Sequence, residues 1–439
     1  MSQPGPSPQG LVPAYSLPPR RRTSPLTVVT MVVLGLGSLL IALLLLVSGG
    51  PTDAIVTTFL AALSFPLLIA LCFWLDRYEP EPLRYRIAAL GWGAIVAVGI
   101  ALLMQVLVMA GGASPESTTV IWAPVTEEFA KGLFPFLVLM LRRAQLHGIL
   151  DGIVYAVLVG IGFAFTEDIV YYLQSLSQGG PGGLAATFFL RGVLSPFAHP
   201  LFTSATGVGI GIAVMSRSRA VQIIAPLLGY LVAVLLHAIW NGSATFGGTQ
   251  GFFVTYLLAF LPLLLVLVLV AIWARRQEGR MLTGALEDCA RMGWVGLGEI
   301  RWVARLSDRV AARRFARSVG GKQAADVLAD YQQTLTEMAF LHNRVVSGTA
   351  PADFNHRMYA IQQRAAMLRP GVILPPWQPQ HGPVGGPGQS GPGLPAGPSQ
   401  WSPIPGQAPA HQLPIPPGGQ VPPPPGQPGT WPPPQQPRL

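Results

Sequence analysis

Apolar positions along the chain gather into long runs rather than alternating with polar ones. Eight runs approach the roughly 20 residues that a helix needs to cross a hydrocarbon core. They lie at about 26–48, 54–75, 87–111, 119–141, 149–176, 185–215, 220–243 and 251–274. The sixth is long and contains Pro196 and Pro200, so a tilted or broken helix is expected there. The connecting loops form two alternating sets. One holds "RRR", "DRYEPEPLRYR", "LRRAQLHG", "SRSR" and "ARRQEGR"; the other holds "SGGPTD", "GGASPEST", "SQGGPGG" and "FGGTQG", with no Lys or Arg. Basic loops stay in the cytoplasm. The pattern predicts an all-α, polytopic membrane helix bundle of about eight transmembrane helices, with both termini cytoplasmic.

After Arg280 the pattern changes. Residues 281–369 are polar with helical periodicity, as expected of a small cytoplasmic helical region. Trp302, Leu306 and Val310 form one stripe, and Val327, Tyr331, Leu335 and Met338 a second. Gly320-Gly321 separates the stripes, and Pro351 is placed to start a third short helix. Residues 370–439 are Pro/Gly/Gln-rich, as in "VPPPPGQPGTWPPPQQP", and cannot bury a core, so a disordered tail is expected. The N-terminal segment 1–25 is Pro/Ser/Gln-rich and is expected to be disordered as well. It lacks the short apolar core and small-residue cleavage site of a signal peptide. The transmembrane domain is thus expected at 26–275.

Composition agrees with a membrane protein. Half of the residues are hydrophobic (50%) and only 11% are charged, against about 25% in soluble domains. The net charge of +9 follows from arginines flanking the apolar runs and is not taken as a sign of nucleic-acid binding. Cys72 and Cys289 form no zinc-finger or CxxC spacing.

Ionisable groups inside membrane helices are costly and usually functional. The fourth run carries "APVTEEFAKGLF", in which Glu127 and Lys131 are four residues apart and share a helix face, while Glu128 is rotated about 100° away. The fifth holds Glu167 and Asp168, the sixth His199, and the seventh His237 and Asn241. With the loop-derived topology, Glu127 lies roughly 12 Å and Glu167 roughly 14 Å in from the outer end. His237 and Asn241 lie within roughly 10 Å of it, and His199 roughly 20 Å in. Four spans thus bring carboxylate, imidazole and amide groups to the outer half of the bilayer. A carboxylate there is a candidate general base on water, with His and Asn as oxyanion donors. Glu127, His199 and His237 are equally a candidate ligand set for zinc with an open position. Simpler readings exist for single residues: a structural Glu127–Lys131 ion pair, Asp151 as a helix cap, Arg191 snorkelling to the interface, and Asp168 as a structural group. A proton- or ion-coupled transporter and a non-catalytic membrane scaffold are the competing functions.

"EEFAK", "DGIVYA…GFAFTED", "HPLFTSATGVGIG" and "HAIWN" occur in this order on successive spans. In this they resemble the motifs of the PrsW family of intramembrane proteases, which is related to the CAAX prenyl-protein protease group. The resemblance covers about residues 60–275. It implies an intramembrane endopeptidase of a bacterial cytoplasmic membrane. The substrate would be a membrane protein, with an anti-sigma factor as the candidate, cut near the extracytoplasmic face. Carried over residue by residue, Glu127, Glu128, His199, His237 and Asn241 would be catalytic, with Lys131, Glu167 and Asp168 in support. Asp168 departs from the family's usual asparagine. Metallo and glutamic mechanisms both stay open.

Overall fold

The computed structural model describes residues 25–78, 80–143 and 146–376. The expectations for residues 1–24 and for the tail beyond residue 376 lie outside the described residues. Among those described, every regular element is helical. The membrane part comprises α1 (Pro25–Leu63), α2 (Pro66–Leu75), α3 (Leu83–Gly91), α4 (Val98–Ala110), α5 (Ala123–Arg142), α6 (Ile149–Thr187), α7 (Ala198–Met215), α8 (Arg219–Thr255) and α9 (Leu261–Arg291). A π-helical stretch, Trp92–Ala97, joins α3 to α4, and another, Thr118–Trp122, leads into α5. Four helical runs are long and apolar enough to cross a membrane: Leu45–Leu75, Leu83–Ala110, Ile149–Met215 and Arg219–Arg291.

The runs that exceed one crossing are broken by glycine pairs. In each of the four loops without Lys or Arg the second glycine of a GG pair has positive φ: Gly50 (76°), Gly112 (92°), Gly180 (61°) and Gly248 (58°). That left-handed backbone is open to glycine at no steric cost. At Gly180 the two arms meet again where Ser175 Oγ lies 2.7 Å from Thr187 Oγ1. At Gly248 they meet where the Trp240 ring packs on Phe252 and Phe260, with centroids 4.9 and 5.0 Å apart. The break expected in the sixth apolar run falls at Ser195–Phe197. There a π-helical stretch (Phe188–Leu194) ends and α7 begins.

Helix α6 is the centre of the bundle. Nearly every residue from Leu150 to Thr166 is buried. Its glycines admit neighbouring backbones directly. A Cβ on Gly152 would fall on the carbonyl oxygen of Gly207 in α7, and one on Gly162 would fall on that of Leu90 in α3. The glycine-rich stretch after His199 is therefore a packing surface, as small residues are in membrane bundles.

Beyond Arg280, α9 leads into α10 (Ile300–Ala304), α11 (Leu306–Val346) and α12 (Phe354–Leu368). Their core includes Leu286, Cys289, Val303, Tyr331, Leu335 and Met338. The second expected stripe is thus buried, apart from the half-buried Val327. The first is not continuous, because Arg305 is extended (φ −105°, ψ 121°) and separates Trp302 from Leu306. Helix α11 breaks at Gly320-Gly321, where Gly321 has φ 72°.

Helix α11 also touches three arginine-bearing loops of the membrane part. Arg309 donates to the Tyr78 carbonyl (2.9 Å) and to Thr336 Oγ1 (2.6 Å). The Phe340 ring lies 5.0 Å from that of His147. Arg217 donates to the carbonyls of Val346 (3.2 Å) and Ser347.

The glycine contacts make a direct prediction. Gly152→Val should lower the thermal midpoint in detergent, because overpacking costs about 1–3 kcal/mol even where side chains can shift, and here the obstacle is backbone. Gly99→Val, where a Cβ meets nothing within 4 Å, should leave the midpoint near that of the wild type. Intrinsic fluorescence during heating reads both.

Candidate active site

The polar residues of α5, α6, α7 and α8 meet in one buried cluster. Lys131 and Glu128 have no exposed surface (0%). A buried charge without partners costs several kcal/mol, and the partners are present. Lys131 Nζ lies 2.6 Å from Glu128 Oε1, 3.7 Å from Glu127 Oε2 and 2.8 Å from His199 Nδ1. It also sits 4.3 Å from the centre of the Phe163 ring. The closest carboxylate is therefore Glu128, three residues away, rather than Glu127, four away. Both spacings bring side chains together on a helix, and the depth of the cluster selects the nearer one.

Glu128 is saturated. Its Oε1 accepts from Lys131 and from His237 Nδ1 (3.0 Å), and its Oε2 accepts from Thr203 (3.0 Å). Glu127 is not. Gln105 donates to its Oε1 at 3.1 Å, but its buried Oε2 has no hydrogen-bond partner. That atom faces His237 Nε2 at 3.9 Å. In the neutral tautomer that donates Nδ1–H to Glu128, the Nε2 of His237 carries a lone pair. Two acceptors thus face one another across a gap that one water or one cation can bridge. One donor atom from each of Glu127, His199 and His237 lies within 4.8 Å of the others. The chemistry of this donor set fits a metal such as zinc, and the orphaned Glu127 oxygen supports the fit. His199 is the constrained member, with Nδ1 on Lys131 and Nε2 on Glu167 Oε2 at 2.7 Å. An ammonium only donates, so Nδ1 accepts and Nε2–H donates to Glu167.

Gly160 makes the contact between His199 and Glu167 feasible. A Cβ there would lie 2.8 Å from the backbone of Pro200, so its absence lets the first turn of α7 press against α6. Behind Glu167 stands Arg191, which donates to Glu167 and, through Nε, to Asp168 Oδ1 at 2.7 Å. Asp168 therefore has a partner of its own. The expectation that Arg191 merely snorkels is overturned, since two carboxylates within reach hold it inside the protein. Asp151 accepts from the His147 backbone at 2.5 Å, as expected of a group capping the start of α6. Asn241 stands apart from the cluster. Its amide donates to the Thr119 carbonyl (2.9 Å), and it lines a cavity of about 510 Å³ that also reaches His199, Arg191 and Trp240. The cavity extends to Gly248 and Thr249 in a charge-free loop.

Sequence reasoning missed Gln105, Thr203 and Arg191. Gln105 carried a signal, being a lone amide within "ALLMQVLVMA". Thr203 is one helical turn beyond His199, but threonine is common in membrane helices and does not stand out.

A helical membrane bundle that buries two histidines and paired glutamates beside a cavity holds the groups that an intramembrane hydrolase needs. Residues 81–271 match the PrsW family intramembrane metalloprotease. Protease PrsW of Geobacillus kaustophilus (strain HTA426) is 27% identical over 176 residues, covering 40% of this chain and 73% of the relative. Protease PrsW of Clostridioides difficile (strain 630) is 28% identical over 184 residues, covering 40% and 74%. That of Shouchella clausii (strain KSM-K16) is 31% identical over 154 residues, covering 35% and 64%. No solved structure matches the chain. Over residues 81–271 the chain is similar to the PrsW family of intramembrane metalloproteases, and this likeness supports a membrane peptidase.

The ion pairs behind the cluster are testable. Arg191→Met removes the cation shared by Glu167 and Asp168 and should cost about 3–5 kcal/mol, as removal of one partner of a buried pair does. Gln105→Leu removes a single hydrogen bond and should cost about 1–3 kcal/mol. Thermal midpoints of the purified variants should fall in that order.

Proposed function

We propose that the chain is an endopeptidase that cuts a membrane protein near the face bearing the loops without Lys or Arg, and that Glu127 is the base that activates water. The observation that carries this is the Glu127 Oε2 that accepts no hydrogen bond and lies 3.9 Å from His237 Nε2. A water between these two acceptors donates to both, which aims an oxygen lone pair away from them and toward the cavity. Glu127 then takes the proton as the oxygen attacks the peptide carbonyl. Proton transfer of this kind contributes about 10²–10⁴-fold.

The remaining residues divide the work around that step. Glu128, fully hydrogen-bonded, fixes His237 and Lys131 rather than exchanging a proton. Glu167, held by Arg191, orients His199. Asn241 uses one amide hydrogen on Thr119 and has a second available to a developing oxyanion at the cavity wall. Where a metal is bound, Glu127, His199 and His237 would hold it, with zinc as the ion that best suits two imidazoles and a carboxylate. Such an ion lowers the pKa of a bound water and polarises the scissile carbonyl. His199 would then turn one ring nitrogen away from Lys131 or Glu167. The loops without Lys or Arg are read as extracytoplasmic and the arginine loops as cytoplasmic, in a bacterial cytoplasmic membrane. A single-pass protein such as an anti-sigma factor is the substrate class that the family resemblance implies.

The test is cleavage of a single-pass reporter by protein reconstituted in liposomes. Glu127→Gln should lower the rate by about 10²–10⁴-fold with an unchanged thermal midpoint, whereas Glu128→Gln should lower the midpoint as well. A wild-type rate in Glu127→Gln overturns the assignment. Elemental analysis of the same preparations reads the metal. Zinc that is present in the wild type and absent from His199→Ala and His237→Ala assigns it to these ligands.

A further inference from the structure

The cavity beside His199 has two unlike walls. One is polar: Thr119, Asp168, Arg191, Ser195 and Asn241 line it, together with the break in the helix at Ser195–Pro196. The other is aromatic: Trp240, Phe252 and Phe253 come from the two arms of the α8 hairpin that turns at Gly248. The Trp240 and Phe252 rings meet edge to face, 4.9 Å apart, and Phe252 meets Phe253 at 5.5 Å. At about 510 Å³ the space exceeds one side chain and is within the ordinary range for ligand pockets.

A helical substrate hides its peptide bonds, so its segment at the cut must unwind. Unwound backbone at membrane depth is tolerated only where protein or water meets its polar groups. The polar wall offers hydroxyl and amide groups for that purpose, next to His199. A chain laid along it directs alternate side chains away from it, within reach of the aromatic rings that line the same cavity. Resting on the proteolytic reading above, we propose that the Trp240–Phe252–Phe253 wall is a specificity pocket that takes a bulky apolar side chain of the substrate next to the cleaved bond. Trp240 lies one turn from His237 on α8, so the pocket and the buried cluster are set by the same helix. The filled pocket fixes the register of the unwound segment against the cluster.

The test uses the full chain in liposomes and single-pass reporters that differ only in the residue next to the cut: Phe, Leu, Ala or Asp. The wild type should favour Phe and Leu over Ala by about 10–200-fold in kcat/KM, the range that extra apolar bulk supplies to a fitting pocket. Phe253→Ala should lose most of this preference. Ala244→Trp, which adds bulk at an exposed position of the cavity lining, should invert the preference without affecting folding. Equal cleavage of all four reporters overturns the pocket but leaves the protease reading intact. Should no reporter be cleaved, photo-crosslinking of a reporter with a benzophenone side chain at that position, in the Glu127→Gln variant, decides the matter. Crosslinks within residues 240–253 uphold the pocket, and crosslinks elsewhere or none overturn it.

Discussion

The buried ammonium of Lys131 is the constraint from which the site follows. Taking a lone positive charge out of water costs several kcal/mol unless anions and acceptors surround it. Glu128, His199 and the face of Phe163 supply that surround. Each of these commitments forces the next. Glu128, engaged by Lys131, anchors His237 through Nδ1 and thereby turns Nε2 toward Glu127. His199, accepting from Lys131 at Nδ1, must present Nε2–H to Glu167, which in turn needs Arg191. One carboxylate oxygen is left over at the end of this sequence, and it belongs to Glu127. The adjacent glutamates therefore have different chemistry although the sequence presents them as equivalents.

Backbone proximity is what makes so dense a network possible. Glycines 152, 160 and 162 on α6 bring α7 and α3 into contact at main-chain distance. Side-chain hydrogen bonds between helices then need span only one or two short groups. Residues without a Cβ thus act on the site as surely as residues with charge, by fixing how far apart the charged ones stand.

Much of this is legible in the sequence, for identifiable reasons. Lipid demands long apolar runs and segregated arginines, so the helical bundle and its loop sets can be read from hydropathy and charge alone. Ionisable groups within such runs are rare enough that Glu127, Glu128, Lys131, Glu167, His199 and His237 stand out by residue type and position. What the sequence withholds is pairing. Helical spacing points Lys131 to Glu127, yet the closer partner is Glu128. Arg191 looks like an interfacial residue because its two acceptors are more than twenty positions away. The extended Arg305, which splits an apparent stripe, carries no compositional mark at all.

The contacts of α11 have a mechanical consequence. A single helix is fastened to Tyr78, His147 and Arg217, each in a different arginine-bearing loop. The transmembrane rods are therefore tied together at one end, while the cavity opens toward the glycine-pair turns at the other. A splay of the rods about the tied end would widen the bundle at the other. Its amplitude grows with distance from α11 and is largest where the cavity reaches Gly248.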